Sequence, residues 1–158
     1  MTIFLEIDPT FAGSSELPDF TNCILAVFKD QGIPMDSDAT IVLVDDERIH
    51  ELNQEFLGED KPTDVLAFPA DHVDPDTGHR NYGDVIISYP RAKDQALAAG
   101  HPLPSELSLL SVHGTLHLLG FDHDNPESEA KMWHTQSKIL NNLGIKVNSP
   151  YYSTHPES

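Results

Sequence analysis

The chain has 158 residues, of which 39% are hydrophobic, and a formal net charge of −17. This length suits one domain with a sizeable core, and the composition excludes a disordered chain. No apolar run approaches the roughly 20 residues of a membrane helix, so we expect no membrane span. An acidic protein repels RNA on average, so contact with RNA would need a local positive feature such as a metal ion.

The N-terminus and the single cysteine both favour a cytoplasmic location. Residues 1–8 contain no basic region and no small-residue cleavage site, so they predict a first strand rather than a signal peptide. Cys23 has no disulfide partner within the chain, which favours a reducing compartment. It also lies on the apolar stripe of a predicted helix, so we expect a core residue rather than a reactive thiol.

The first part of the chain predicts strands that alternate with helices. Residues 2–7 alternate between apolar and polar side chains, which is typical of a strand. Residues 17–31 carry apolar side chains at helical spacing. Residues 40–44 predict a buried strand, and Asp45 can cap the helix that follows it. That helix is expected to end at Gly58.

Two further strands surround a polar segment. Residues 65–68 predict a strand that the following proline closes, and residues 83–88 predict a fourth strand. Between them, residues 71–81 are polar and contain Pro75 and Gly78. This composition predicts a mobile loop.

The second half of the chain is predicted to be helical. Helices are expected over roughly residues 90–99, 104–119 and 126–143, followed by a tail at residues 145–158. Strands that come first and helices that follow predict a single α+β domain over residues 1–158, with a four-stranded mixed sheet packed against several helices.

The segment from His113 to Asp124 reads HGTLHLLGFDHD. Because His113 and His117 are four residues apart on a predicted helix, their side chains leave the same face one turn apart. Gly120 can adopt a positive φ and let the chain turn sharply, which brings His123 back towards the same point. Three neutral imidazoles and one open position form the arrangement of a catalytic zinc site. The spacing therefore predicts one zinc ion per chain.

The apolar surroundings of these histidines offer an alternative, in which they are ordinary core residues. A lone histidine on an apolar helix face is usually a hydrogen-bonded core residue. Three at this spacing would leave several polar nitrogens unsatisfied, so the pattern favours metal binding. The remaining histidines are expected to be solvated: His50, His72, His79, His101, His134 and His155.

The ligand spacing is also that of the elongated zincin motif. In that motif a glutamate follows the first histidine and serves as the general base of peptide hydrolysis. Gly114 occupies this position here. The spacing of the three histidines matches the motif, but the glutamate that serves as general base is absent. This absence argues against a conventional metalloprotease mechanism.

The histidine segment resembles the H-G-x-L-H-L-x-G-Y/F-D-H signature of the YbeY endoribonucleases, the bacterial rRNA maturation factors. Residues 60–69, DKPTDVLAFP, resemble the family's K-P-T-D/N-V-L-S-F-P block. Residues 83–88, GDVIIS, resemble its G-D-I-x-I-S strand. The ordered combination of three blocks is specific.

The resemblance implies a small α+β fold with a zinc ion on His113, His117 and His123. It implies a metal-dependent endoribonuclease that is specific for single strands. The implied roles are 16S rRNA 3′-end maturation, rRNA processing and ribosome quality control. The expected partners are then single-stranded rRNA, the small ribosomal subunit and a ribosome-associated GTPase.

One position departs from the family's pattern. The family usually has Tyr-Arg before the glycine that precedes its K-P-T-D/N block, whereas this chain has Phe56 and Leu57. The resemblance implies that the arginine contacts phosphate or stabilises the transition state, so leucine at this position predicts a weak nuclease. Three basic residues are the nearest candidates for that RNA contact: Lys61, Arg80 and Arg91.

Two aspartates flank the third histidine of the motif. Asp122 is a candidate for orienting an imidazole N–H, although a turn residue would serve equally well at this position. For Asp124 the turn or cap role is favoured.

Two other functions stay open at this point. A metallohydrolase that acts on peptides or small esters is disfavoured because no glutamate follows His113. A non-catalytic zinc-containing ribosome assembly factor would use the ion structurally. Structural zinc sites usually have four protein ligands, often with cysteine, and only three are evident here.

Overall fold

Four strands and five helices make up residues 1–147, the part of the chain that the computed structural model describes. In chain order they are β1 (Thr2–Ile7), α1 (Phe20–Asp30), β2 (Ser37–Val44), α2 (Asp46–Leu57), β3 (Val65–Val73), β4 (Arg80–Ser88), α3 (Tyr89–Ala99), α4 (Leu103–Leu118) and α5 (Pro126–Asn142). The predicted α+β architecture with a mixed sheet is confirmed. The tail predicted at 145–158 lies outside the described residues from 148 onwards. No described helix is both long and apolar enough to cross a membrane.

The sheet has the strand order β1-β2-β4-β3 and is mixed. β1 and β4 run parallel to β2, whereas β3 pairs antiparallel with β4 and forms one edge of the sheet. Side chains alternate along β3, so Val65 joins the core on the α4 side while Leu66 joins the cluster on the α2 side. The edge strand β3 therefore lies between the end of α2 and the helix that carries the histidines.

The segment 71–81 is only partly a loop, which corrects the sequence-based expectation. β3 continues to Val73 and β4 begins at Arg80, with an irregular register between Pro69 and His72. Pro69 is tolerated within β3 because an edge strand has one side without ladder hydrogen bonds. The hairpin extends beyond the core, so its side chains face solvent and its composition resembles that of a loop.

α4 is the central helix of the core. Its apolar side chains contact the sheet, α1, α3 and α5, and Cys23 of α1 is buried in the same core, as predicted. The hydroxyl groups of Ser108, Ser111 and Thr115 donate to backbone carbonyls one turn earlier in the helix. These bonds satisfy small polar groups inside the core, so the helix can be buried around most of its circumference.

Gly114 sets how closely α4 approaches the sheet. A Cβ atom added at this position would lie 2.5 Å from Val85 Cγ1 and 3.2 Å from Val65 Cγ2. Valine is branched at Cβ and has little rotamer freedom, so these methyl groups cannot move aside cheaply. Any larger side chain at position 114, including the glutamate of a zincin, would begin with this clash.

We expect Gly114→Ala to lower the free energy of unfolding. Overpacking typically costs about 1–3 kcal/mol, which outweighs the gain of up to ~1 kcal/mol when alanine replaces glycine in a helix. Val85→Ala removes the methyl groups that the new Cβ would meet. The double variant should therefore lose less stability than the sum of the two single losses.

Urea unfolding followed by circular dichroism measures this coupling. Gly13→Ala is the matched control, because a Cβ at Gly13 has nothing within 4 Å and its φ is not positive. Strictly additive losses for Gly114→Ala and Val85→Ala would contradict the packing account.

Candidate metal centre

The end of α4 brings three histidines to one point. His113 and His117 lie one turn apart on the helix, and Gly120 follows its end with a φ of 95°. The Gly120 N–H donates to the His117 carbonyl at 3.0 Å, and the Phe121 N–H donates to the Leu116 carbonyl at 3.0 Å. This cap reverses the chain, as predicted from the glycine.

The reversal brings His123 back to the helix. Ring nitrogens from His113, His117 and His123 all lie within 4.8 Å of one another. Their geometry is therefore compatible with a shared metal ion, and the structure brings together the three residues that the motif singled out.

The two helical imidazoles point the same ring nitrogen, Nε2, towards each other. His113 Nδ1 lies 2.9 Å from Gln136 Oε1, to which it donates. His117 forms a hydrogen bond with the backbone of Phe121 that raises its pKa, as expected when the ring donates to a carbonyl. The Nε2 atoms of His113 and His117 face each other at 3.1 Å. His113 Nε2 therefore carries a lone pair rather than a hydrogen, and His117 Nε2 carries one in the tautomer that binds metal.

Two facing lone pairs repel each other unless a cation lies between them. Nitrogens bound to a tetrahedral zinc ion at roughly 2.0–2.1 Å lie about 3.3 Å apart. The 3.1 Å separation of Nε2 atoms is close to that value. The donor set and its hydrogen bonds therefore fit a metal ion.

Burial keeps both helical histidines neutral. Desolvation lowers the pKa of His113 well below its usual value, and the neighbouring His117 lowers it further, against the hydrogen bond to Gln136. Desolvation likewise lowers the pKa of His117, with His123 adding to the effect. Neutral imidazole is the form that binds metal, so little proton competition is expected at neutral pH.

An open cleft of about 260 Å³ leads to these two histidines. Besides His113 and His117, its walls consist of Leu57, Val65, Leu66, Ala67, Pro69 and Gly114. Leu57 is the last residue of α2 and is 56% exposed. It reaches the cleft across the edge strand β3. The position that departs from the family's pattern is thus part of the cleft.

None of the three basic candidates is among the residues that line this cleft. Arg80 pairs with Asp71 at 2.8 Å and lies 5.1 Å above the Tyr82 ring. It lines a larger groove of about 600 Å³ that shares Pro69 with the cleft. Arg91 lies 3.5 Å from Asp46, and the Lys61 carbonyl accepts a hydrogen bond from a buried asparagine side chain.

Asp122 organises the turn that carries the third histidine. Its carboxylate accepts from the His123 backbone N–H at 2.6 Å. Desolvation acts to raise the pKa of Asp122, but hydrogen bonds with Asp124 and the His123 backbone outweigh it and keep this pKa below its usual value. The hydrogen bond and the charge of Asp122 raise the pKa of Asp124. Asp122 thus has a turn role through its hydrogen bond with the His123 backbone.

Two residues of α5 complete the centre, and the sequence motif did not reveal them. Gln136 is buried and bonds His113, as described above. Trp133 lies one turn earlier and stacks on His113 and on His123. Their spacing of three residues on one helix face was the only available signal, and it is common in helices that merely contribute to a core.

One histidine that was expected to be solvated is buried instead. His101 is 8% exposed, and its Nε2 lies 2.7 Å from Oε1 of the buried Glu106 in the first turn of α4. His79 is partly shielded beside Asp38. His155 lies outside the described residues.

Comparisons with known proteins show which family this chain resembles over most of its length. The family profile described as Endoribonuclease YbeY matches residues 12–144. The chain is 38% identical over 152 residues to the Endoribonuclease YbeY of Brevibacillus brevis, a match that covers 89% of this chain and 93% of that protein. It is 46% identical over 132 residues to the protein of the same name from a Sulfurihydrogenibium species, covering 83% and 84% of the two chains.

A solved structure shares the fold. The solution structure of TM1509 from Thermotoga maritima matches with a TM-score of 0.56 and 28% sequence identity. The match covers 90% of this chain and 92% of that chain. The α+β arrangement described above is therefore that of a known protein.

Proposed function

This chain belongs to the YbeY endoribonuclease family, and from that membership we propose that it is a zinc-dependent endoribonuclease that cuts single-stranded rRNA. The proposed roles are 16S rRNA 3′-end maturation, rRNA processing and ribosome quality control in the cytoplasm. The small ribosomal subunit and a ribosome-associated GTPase are the proposed partners. One domain, residues 1–158, would carry the activity. The observation that carries the proposal is the convergence of three imidazoles at an open cleft.

His113, His117 and His123 are the proposed ligands of one zinc ion per chain. Three nitrogen ligands leave one coordination position for a non-protein group, which is typical of catalytic rather than structural zinc sites. When bound, zinc supplies a Lewis acid that polarises a phosphoryl oxygen and lowers the pKa of water. The protein contributes neutral, correctly oriented imidazoles and a cleft that admits a phosphodiester.

The walls of the cleft are mainly apolar, which makes the ion the main attraction for RNA. No lysine or arginine is among the described residues that line it. With a net charge of −17, the protein as a whole repels a polyanion. Among the three basic candidates, Arg80 is favoured for contact with the RNA backbone, because its groove adjoins the cleft at Pro69.

A peptidase is disfavoured on steric as well as chemical grounds. The glutamate of a zincin would replace Gly114, where an added Cβ lies 2.5 Å from a valine methyl group. Position 114 faces the sheet rather than the ion. The chain therefore lacks both the general base and the space for it.

We expect metal-loaded protein to cleave a labelled single-stranded RNA, and His113→Ala to abolish this cleavage. The substitution removes one of three ligands and also leaves Gln136 without its imidazole partner. His134→Ala is the matched control, because His134 is exposed on α5. This substitution should leave the cleavage rate unchanged. Gel-resolved initial rates, with and without a chelator, measure the effect.

Cleavage that survives both His113→Ala and the chelator would contradict the proposal. Stoichiometric zinc binding without cleavage of any single-stranded RNA would instead favour the non-catalytic assembly factor.

We expect Leu57→Arg to raise the rate of RNA cleavage. A guanidinium in the cleft can form paired hydrogen bonds to phosphate, and removing one such donor elsewhere costs on the order of a hundred- to a thousandfold in rate. A grafted arginine lacks supporting contacts, so a gain of about tenfold in kcat/KM is the expected minimum. Gln54→Arg adds the same charge on the exposed side of α2 and should change the rate much less.

The gain should disappear when His113→Ala is added to Leu57→Arg. If Leu57→Arg has no effect while Arg80→Ala abolishes cleavage, Arg80 already supplies the phosphate contact. That result would contradict the account of position 57 while leaving the metal centre intact.

A further inference from the structure

Trp133 contacts two of the three histidines at the metal centre. Its ring centroid lies 5.5 Å from that of His113, with an interplanar angle of 19°, and 5.7 Å from that of His123, with an angle of 17°. The two imidazole centroids are 5.9 Å apart. One side chain of α5 therefore stacks on a histidine from α4 and on a histidine from the following turn.

Both imidazoles lie on the same side of the indole. Rings stacked on opposite faces, each separated by roughly 3.5 Å, would be about 7 Å apart or more. The observed 5.9 Å between the imidazole centroids is too short for that arrangement. The indole thus forms a platform on which His113 and His123 rest side by side.

We propose that Trp133 is a positioning residue that fixes the ring planes of His113 and His123 for the metal ion. The inference rests on the proposed metal centre and assigns it a support outside the histidine motif. A nitrogen lone pair lies in the plane of its ring, whereas Trp133 contacts the faces of the rings. The stack therefore restrains rotation about the Cβ–Cγ bonds without competing for the ligand atoms.

The restraint matters most for His123. His113 is already fixed by its place in α4 and by the hydrogen bond to Gln136. His123 follows the end of the helix, in a segment without regular secondary structure. Holding a loop side chain in its binding rotamer before the ion arrives reduces the entropy lost on binding.

Electrostatics act in the same direction. An imidazole that donates its lone pair to a divalent cation becomes electron-poor, and the face of an indole attracts positive charge. The contact between Trp133 and the two histidines should therefore strengthen when the ion binds. Gln136, three residues later on α5, acts on the edge of the His113 ring while Trp133 acts on its face.

The test is the zinc dissociation constant of purified full-length variants, measured by competition with a chromophoric chelator at neutral pH. Removing groups that orient metal ligands typically weakens affinity about ten- to hundredfold, so this loss is expected for Trp133→Ala. Trp133→Phe keeps an aromatic face and should retain more of the affinity. Trp133 is the only tryptophan, so zinc should also change the emission of the wild type with the same dissociation constant.

Ile139→Ala controls for general loss of stability. Ile139 is buried on the same helix and joins the core. The Ile139→Ala substitution should destabilise the protein but leave the zinc affinity of the folded molecules unchanged. Circular dichroism measures the folded fraction in each sample. Wild-type zinc affinity in folded Trp133→Ala would overturn the proposal, as would an equal loss of affinity in Ile139→Ala.

RNA cleavage separates this inference from the proposed function. At saturating zinc, Trp133→Ala still has all three ligands and should regain most of the cleavage rate. Weakened zinc binding in Trp133→Ala, together with a wild type that binds zinc but cuts no RNA, would support the positioning role and overturn the nuclease assignment.

Discussion

The candidate metal centre depends on two imidazole nitrogens that face each other across 3.1 Å. The hydrogen bond of His113 to Gln136 occupies its other ring nitrogen, so His113 cannot place a hydrogen in the contact, and His117 presents a lone pair there in the tautomer that binds metal. Such a pair is unfavourable by itself and favourable around a cation. The surrounding elements can be understood as the means of holding this pair in place.

The helix that carries the pair is held around most of its circumference by apolar packing. Gly114 lets α4 approach Val85 of the sheet, and the same close approach excludes a catalytic glutamate from that position. The histidine spacing of a zincin is therefore present, but the packing around it excludes the glutamate that zincin chemistry requires. On the open side, the antiparallel edge strand β3 and the end of α2 leave a cleft beside the two histidines. Substrate access follows from the sheet order, since a further strand beyond β3 would close this side.

The sequence was sufficient to predict the three histidine ligands. It was insufficient to predict the residues of α5 that contact them. Histidines four residues apart on a helix, followed by a glycine that reverses the chain, define their own geometry because all the determinants are local. Trp133 and Gln136 act on the centre only because α5 packs against α4, and no local pattern specifies which helices become neighbours. His101 was wrongly expected to be solvated for a different reason: its partner Glu106 is only five residues away, but a spacing of five residues across the start of a helix does not by itself indicate a contact. Local composition also misjudged residues 71–81, where an exposed hairpin has the polarity of a loop.

X-ray absorption at the zinc edge, on protein loaded with one equivalent of zinc, tests the three-histidine centre most directly. Zinc bound by three histidines should give a single shell of nitrogen and oxygen at roughly 2.0–2.1 Å, with the outer-shell pattern of three imidazoles and one light ligand from solvent. Cys23 is buried in the core, so no sulfur should appear. A zinc–sulfur distance of about 2.3 Å, or a spectrum with fewer than three imidazoles, would contradict the account.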